Sequence, residues 1–192
     1  YGLLSYLTAY LKTHYTIYFM ASLLTSKSDK VQKISIVIND CKRLGIKVSQ
    51  PNVNKSDMKF TALPEKNEIL FGLLAVKNLG RGFIDRMIEE RTREGKFSSF
   101  YSFCKRMYGQ DLNRRALESL IKCGALDDLG CNRRQMLASV AIVLDTLEAD
   151  KRKNVEGQIG FFDVIQTDGP SVEEFVPEPM PDISQSEKLI ME

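Results

Sequence analysis

One run of residues limits how this chain can fold more than any other. A short apolar stretch, residues 73–79, leads into Gly80-Arg81-Gly82, and apolar residues at helical spacing follow. Glycine readily adopts a positive φ and lets another group approach the backbone closely. The run therefore predicts a tight hairpin turn in which Gly80 and Gly82 have positive φ. It also predicts a helix that begins at Gly82 and continues to about Glu94.

The charges around this turn indicate what it could bind. The first backbone N–H groups of a helix have no acceptor inside the helix and lie at the positive end of its dipole. A phosphate oxygen satisfies both conditions. The run thus predicts a helix-hairpin-helix element that binds a phosphate backbone through Lys77, Gly80, Arg81 and Gly82. The alternative is that the two glycines only form a tight turn between packed helices.

Charge is divided unevenly along the chain. Residues 1–134 carry 23 Lys and Arg against 13 Asp and Glu, a net charge of +10. Residues 135–192 carry 4 against 12, a net charge of −8. Such a division favours a front part that faces nucleic acid and a separate acidic tail, although an accident of surface composition is the alternative.

Cysteine and histidine patterns argue against a metal site or a disulfide framework. The four cysteines lie far apart without any C-x-x-C pair, and His14 is the only histidine in the chain. Free thiols in a reducing compartment are therefore expected, and the cytoplasm is the predicted location. The chain shows neither an apolar run long enough to span a bilayer nor a signal peptide, so no membrane partner is predicted.

Helical periodicity dominates the pattern of elements. Residues 1–45 are predicted to be helical, with a second helix from about residue 29 that Gly45 terminates. Residues 46–54 are predicted to be extended, and residues 59–62 and 69–72 to form a short β-hairpin. The aromatic stretch that includes Phe97, Phe100, Tyr101 and Phe103 is predicted to pack inward rather than to stack on bases.

A second helix–turn–helix unit follows about 45 residues after the first. Helices are predicted at residues 113–122 and from about Asn132, and each carries two arginines in its first turn. Positive side chains at a helix N-terminus oppose the dipole, so an anion such as DNA phosphate would offset them. The predicted contacts are Arg114, Arg115, Arg133 and Arg134. A solvated basic face is the alternative.

Composition changes again after the last long helix. Residues 166–182 contain four prolines among acidic residues and are predicted to be extended or disordered. Just before them lie Gln158, Ile159, Gly160, Phe161 and Phe162. Two adjacent aromatic residues in a polar linker require a partner pocket, unless they fold back onto the helical part.

Together these segments resemble the bacterial replicative DNA polymerase III alpha subunit family. The similar segments occur in the same order and cover nearly the whole chain: residues 1–15, 19–21, 41–46, 72–82, 112–121 and 124–127. The resemblance implies a mainly α fold with a helical fingers segment, a tandem helix-hairpin-helix domain with a short β-hairpin, and an acidic extended tail. The absence of an initial methionine and an ending within an apolar pattern indicate a piece of a longer chain.

The resemblance also implies which domain each part of the chain belongs to. Residues 1–45 would end the fingers domain, and residues 46–134 would form the domain that binds double-stranded DNA. Residues 135–192 would form a terminal helix and an acidic linker. That linker carries the position of the family's internal sliding-clamp-binding motif, here Gln158, Ile159, Phe161 and Phe162.

The parent polymerase would transfer nucleotides with Mg²⁺ held by palm carboxylates. Nothing in this sequence resembles that acidic motif, so no catalytic residue, metal ligand or cofactor is predicted here, and the segment alone should be inactive. Its expected partners are duplex DNA, the sliding clamp and, through the parent chain, other replisome subunits. Two alternatives remain: a structural module that contacts only protein, and part of a DNA repair nuclease or ligase.

Overall fold

The computed structural model describes residues 1–28, 30–110, 112–155 and 180–191. The predicted mainly α fold is confirmed, because eight α-helices and one small sheet account for most of the described residues. The helices are α1 (Gly2–His14), α2 (Thr16–Ser26), α3 (Val31–Arg43), α4 (Arg81–Glu94), α5 (Phe100–Met107), α6 (Arg114–Lys122), α7 (Arg133–Val155) and α8 (Gln185–Met191). None of them is long and apolar enough to cross a membrane.

The N-terminal helical region consists of three helices rather than the two predicted. The backbone at Tyr15 leaves the helical region, with φ −130° and ψ 45°, and thereby separates α1 from α2. No residue of α1 is buried, and its apolar side chains, including Leu3, Leu4 and Tyr6, are exposed. The apolar face that the sequence places on α1 is therefore not covered by the described part of the chain.

A three-stranded sheet joins the N-terminal helices to the rest of the fold. Its strands are β1 (Lys47–Val48), β2 (Thr61–Leu63) and β3 (Glu68–Leu70), in the order β1-β3-β2. β2 and β3 are antiparallel, which confirms the predicted hairpin, and a turn of 3-10 helix at Pro64–Lys66 connects them. β1 pairs parallel to β3, with Val48 opposite Ile69, so the segment predicted as extended adds a third strand.

Two apolar clusters form the core. The smaller one packs α2 and α3 against the sheet and includes Met20, Leu24 and Ile69. The larger one contains α4 to α7 and the aromatic residues predicted to pack inward, of which Phe100 and Phe103 are almost wholly buried. Because the sheet belongs to the smaller cluster, the predicted domain boundary at residues 45/46 falls within this packing unit.

Gly72 holds the start of the larger unit close to the sheet. A Cβ at this position would lie 2.6 Å from the backbone carbon of Lys59 and 2.6 Å from the backbone nitrogen of Phe60. The next residue, Leu73, donates its N–H to the Asp57 carbonyl at 2.9 Å. Only glycine permits this approach of two backbones, which fixes where the turn of 3-10 helix at Leu73–Ala75 begins.

Candidate nucleic-acid interface

The first hairpin turn comprises residues 76–82 and connects the 3-10 turn to α4. Val76 and Leu79 are buried in the larger core, whereas Lys77 and Asn78 between them are exposed. Asn78 has φ 62°, which lies in the left-handed region that asparagine tolerates better than most residues. The two buried anchors thus hold an exposed loop whose direction reverses at Asn78.

The predicted positive φ at Gly80 and Gly82 is wrong. Gly80 is the N-cap of α4 with φ −79° and ψ 150°, α4 begins at Arg81, and neither glycine is among those with positive φ. Their contribution is instead the lack of a side chain. A Cβ at Gly80 would meet no atom within 4 Å, and one at Gly82 would meet only Arg86 Nη2, at 3.6 Å.

The N-terminus of α4 is open to an anion. No side chain caps it, and no acidic residue lies in its first turn. Lys77 and Arg81 are exposed, and neither forms an ion pair or a side-chain hydrogen bond with the described part of the chain. Uncapped N–H groups, the positive end of the helix dipole and two unpaired cations therefore occur within one short stretch of the chain, residues 77–83.

This turn also contacts the second helical unit. The Asn78 side-chain amide donates to Ser119 Oγ on α6 at 2.8 Å. Lys77 and Asn78 line a cavity of about 520 Å³ together with Ser119 and Lys122 of α6, so Lys122 adds a third lysine or arginine near the turn. Asn78 and Lys122 were not predicted as site residues from the sequence, because only the packing of the two units brings Lys122 to the turn and pairs Asn78 with α6.

The helices of the second unit are capped by their own side chains. Asn113 Oδ1 accepts the Ala116 N–H at 2.9 Å at the start of α6. At the start of α7, Asn132 Oδ1 accepts the Gln135 N–H, and Gln135 Oε1 accepts the Asn132 N–H, both at 2.9 Å. This reciprocal pair is a capping box, which satisfies two backbone donors that an external anion would otherwise reach.

Arg133 is not at the surface, so the prediction that it contacts DNA is wrong. Its side chain is 2% exposed and donates from Nε and Nη2 to the carboxylate of Asp127 and from Nη1 to the Lys122 carbonyl. Gly124 leaves room for this guanidinium, since a Cβ there would lie 2.3 Å from Arg133 Nη2. Asp127 thus supplies the anion that was predicted to be a DNA phosphate.

Two of the other predicted arginines also have carboxylate partners within the chain. Arg114 Nε donates to Glu118 Oε1 at 2.8 Å, and this hydrogen bond is the main reason that the pKa of the Glu118 carboxyl is lowered. Arg134 Nη2 lies 3.9 Å from Glu187 Oε2. Arg115 is exposed and has no such partner among the described residues.

Three of the four cysteines supply no reactive thiolate. Burial raises the pKa of the Cys104 thiol to about 12 and that of Cys123 to about 11, and it also raises the pKa of Cys41. A thiol with such a pKa is protonated at neutral pH and is a weak nucleophile. Within residues 1–28, 30–110, 112–155 and 180–191, no three His, Cys, Asp or Glu side chains are placed to hold a metal ion.

The predicted clamp-binding residues lie outside the described residues. Gln158, Ile159, Phe161 and Phe162 all belong to this part of the chain, as does most of the stretch predicted to be extended. Residues 180–191, beyond it, are described and contact the start of α7.

Comparison with known proteins agrees with the geometry of the two hairpins. The family described as "Helix-hairpin-helix motif" matches residues 45–136, a range that includes the first hairpin turn, α6 and the start of α7. A DNA polymerase III subunit alpha from Thermus aquaticus is 44% identical over 162 residues, or 84% of this chain. Those from Borreliella burgdorferi and Neisseria meningitidis serogroup B are each 35% identical, over 98% and 100% of it.

The chain belongs to the family of DNA polymerase III alpha subunits. It spans only 13–16% of the length of the three relatives named above. In this segment of an alpha subunit, the first hairpin turn has an open helix N-terminus, whereas the second has satisfied most of its charges internally.

Proposed function

We propose that this segment serves DNA replication by binding the backbone of duplex DNA without reading its base sequence. The open N-terminus of α4 carries the proposal, because it presents uncapped N–H groups beside Lys77 and Arg81. Such a site matches a phosphate oxygen in charge and in hydrogen bonding. The contacts are Lys77, Gly80, Arg81 and Gly82.

The lack of side chains at Gly80 and Gly82 supports this assignment. A phosphate that accepts hydrogen bonds from backbone amides must come within about 3 Å of the nitrogen atoms. The open space beside both glycines permits that approach. Phosphate contacts fix the position of a protein on DNA but carry no sequence information.

In this proposal the second unit has a smaller part. Arg115 is exposed, and Arg114 and Arg134 are partly available because their ion pairs are solvent-exposed. Exposed ion pairs are weak and exchange readily for another anion. Arg133 is excluded, since its guanidinium is buried and saturated by Asp127 and a carbonyl.

We further propose that Gln158, Ile159, Phe161 and Phe162 bind the sliding clamp in the cytoplasm. An aromatic pair supplies the buried area of such an anchor, and Phe162→Ala should cost about 2 kcal/mol or more of clamp affinity. Titration of purified clamp into the chain tests this, with roughly micromolar affinity expected. Nucleotide transfer, Mg²⁺ and the other replisome subunits are assigned to the remaining part of the alpha subunit.

Salt dependence tests the DNA proposal. The dissociation constant for two unrelated duplexes should be equal, and affinity should fall linearly on a log–log plot against salt concentration. Replacement of both Lys77 and Arg81 by alanine should reduce the slope by up to about 1.8, or roughly 0.9 for each lost phosphate contact.

A charge-matched control separates contact from net charge. Lys12→Ala with Lys33→Ala removes two exposed charges from α1 and α3, and should leave the slope nearly unchanged. Equal slopes for all three proteins would contradict the proposal and favour a module that contacts only protein. The alternative of a repair nuclease or ligase is disfavoured because the relatives described above are polymerase subunits.

A further inference from the structure

Residues 180–191, which we term the C-terminal strap, lie across the start of α7. Asn132 Nδ2 donates to the Met180 carbonyl at 2.7 Å, and Glu187 lies 3.9 Å from Arg134. Between these contacts, Ile183 is 7% exposed and therefore buried against the fold. The strap thus returns an acidic part of the chain to the basic second hairpin.

The strap also contains contacts between its own residues. Ser184 and Glu187 cap α8 reciprocally: Ser184 donates its N–H to Glu187 Oε2 at 2.9 Å, and the Glu187 N–H donates to Ser184 Oγ at 3.3 Å. Lys188 pairs with Asp182. The pKa of the Asp182 carboxyl is lowered mainly by Lys188 and, to a smaller extent, by the positive charge of Arg133.

The strap contacts Arg134, the exposed arginine at the start of α7. Arg133 is buried, so Arg134 is the remaining guanidinium there that could reach a phosphate, and Glu187 lies beside it. The far end of the strap reaches further, since Met191 lines the cavity that Lys77 and Lys122 also line. The strap therefore extends from the second hairpin towards the first.

Its attachment is weak enough to be reversible. The Arg134–Glu187 pair is exposed, with 45% and 52% of the two side chains accessible, and such pairs stabilise little. A helix as short as α8 is not stable by itself in water, so its structure depends on docking. The strap and α7 belong to the same chain, so a released strap remains at high local concentration.

We propose that the C-terminal strap is an intrachain competitor of DNA that occupies the second hairpin and withholds Arg134 from phosphate until duplex DNA displaces it. The inference rests on the proposed function, because it concerns the same DNA backbone. In the docked state DNA is bound by the first hairpin turn and by Arg114 and Arg115 of α6. When the strap leaves, Arg134 adds one more phosphate contact.

Substitutions in the strap test this in the full 192-residue chain. Glu187→Gln and Ile183→Ser should raise duplex affinity roughly threefold, the effect expected from one surface ion pair. Both should steepen the log–log salt slope by about 0.9, the value for one added phosphate contact. Glu65→Gln removes an exposed carboxylate from the Pro64–Lys66 turn and controls for net charge.

Two further measurements identify the cause. Arg134→Ala combined with Glu187→Gln should cancel the gain in slope, because the released guanidinium is then absent. Amide hydrogen exchange in α8 should become faster when duplex DNA is added to the wild-type chain. The proposal is overturned if Glu187→Gln and Ile183→Ser bind no more steeply than Glu65→Gln and DNA leaves the exchange of α8 unchanged.

Failure of this proposal is distinguishable from failure of the proposed function. If Lys77→Ala with Arg81→Ala flattens the salt slope while the strap variants match their control, only the strap proposal is wrong. If no variant shows salt-dependent duplex binding, both are wrong.

Discussion

At the first hairpin turn α4 starts after Gly80 with no side-chain cap, whereas at the second α7 starts within a capping box formed by Asn132 and Gln135. The arginines that begin the two helices also differ in whether a carboxylate of the chain pairs with them. Arg81 has no carboxylate partner among the described residues, but Arg133 is buried against Asp127. The first hairpin turn therefore keeps positive charge that is unpaired among the described residues, whereas the second has paired most of its positive charge within the chain.

Arginines at a helix N-terminus therefore do not by themselves indicate a phosphate site. An arginine opposes the helix dipole, and the chain can offset that cost with its own carboxylate as well as with DNA. Asp127 and Glu118 do so in the second unit. A free phosphate site additionally requires an uncapped N-terminus, and of the two hairpin turns the first has one, with no acid in the first turn of its helix.

The largest effect is expected at Gly124, which lies within the second hairpin. Gly124→Ala should lower the free energy of unfolding by about 4 kcal/mol, because left-handed strain adds to the loss of the buried Arg133–Asp127 pair. The control is Gly130→Ala: Gly130 has φ 83° against 78° at Gly124, but a Cβ there meets no atom within 4 Å. Gly130→Ala should lower the free energy of unfolding by about 1 kcal/mol, from left-handed strain alone. Equal losses in urea denaturation would show that the guanidinium contact is unimportant.

Arg133 and Arg134 are neighbours in sequence but should contribute very differently to stability. Arg133→Ala should lower the free energy of unfolding by about 3 kcal/mol, at the low end for a buried pair because Asp127 stays partly in water. Arg134→Ala should change it by less than about 0.5 kcal/mol, as expected for an exposed pair. Thermal and urea denaturation of the two variants measure this, and similar stabilities would contradict the burial of Arg133.

Sequence periodicity was sufficient for the long helices and insufficient for the turns. α4 and α6 could be predicted because their apolar residues recur over several turns of helix. α8 was not predicted, since seven residues carry too little periodic signal and form a helix here while docked to α7. The additional strand β1 has two residues, and only its pairing with β3 defines it.

The error at the first hairpin turn has a similar cause. Asn78, Gly80 and Gly82 can all adopt a positive φ, so local preference does not decide which of them reverses the chain. The decision depends on the burial of Val76 and Leu79, which fixes the direction of the residues between them. Arg133 likewise could not be placed from sequence, because its burial requires Gly124 and Asp127 to meet it in space.

A side-chain cap added at the start of α4 should make the first hairpin turn resemble the second. Gly80→Asn places a capping acceptor at a residue whose extended φ and ψ suit an N-cap, so stability should rise by a few tenths of a kcal/mol. Duplex affinity should fall roughly tenfold, because the new side chain occupies an amide that otherwise binds a charged phosphate. Denaturation and duplex titration measure the two effects on one protein.

Gly80→Ala is the matched control for that experiment. It adds a methyl group but no acceptor, so it should weaken duplex binding less than Gly80→Asn does. If alanine weakens binding as much as asparagine, close approach rather than amide donation explains the need for glycine.

The smallest expected effect concerns pH and the Arg114–Glu118 pair. The pKa of the Glu118 carboxyl is lowered mainly by the hydrogen bond from Arg114, so the pair stabilises the fold fully only above the ordinary pKa of glutamate, about 4.3. As pH falls through the lowered pKa of the folded state, the carboxyl is protonated and this stabilisation is lost. Wild type should therefore exceed Glu118→Gln in stability by about 0.4 kcal/mol at pH 7, and the difference should vanish at low pH.

Arg81 has no carboxylate partner among the described residues, so Arg81→Ala should differ from wild type by the same small amount at every pH. A pH-dependent difference for Arg81→Ala would show that the first hairpin turn, too, neutralises its charge within the chain.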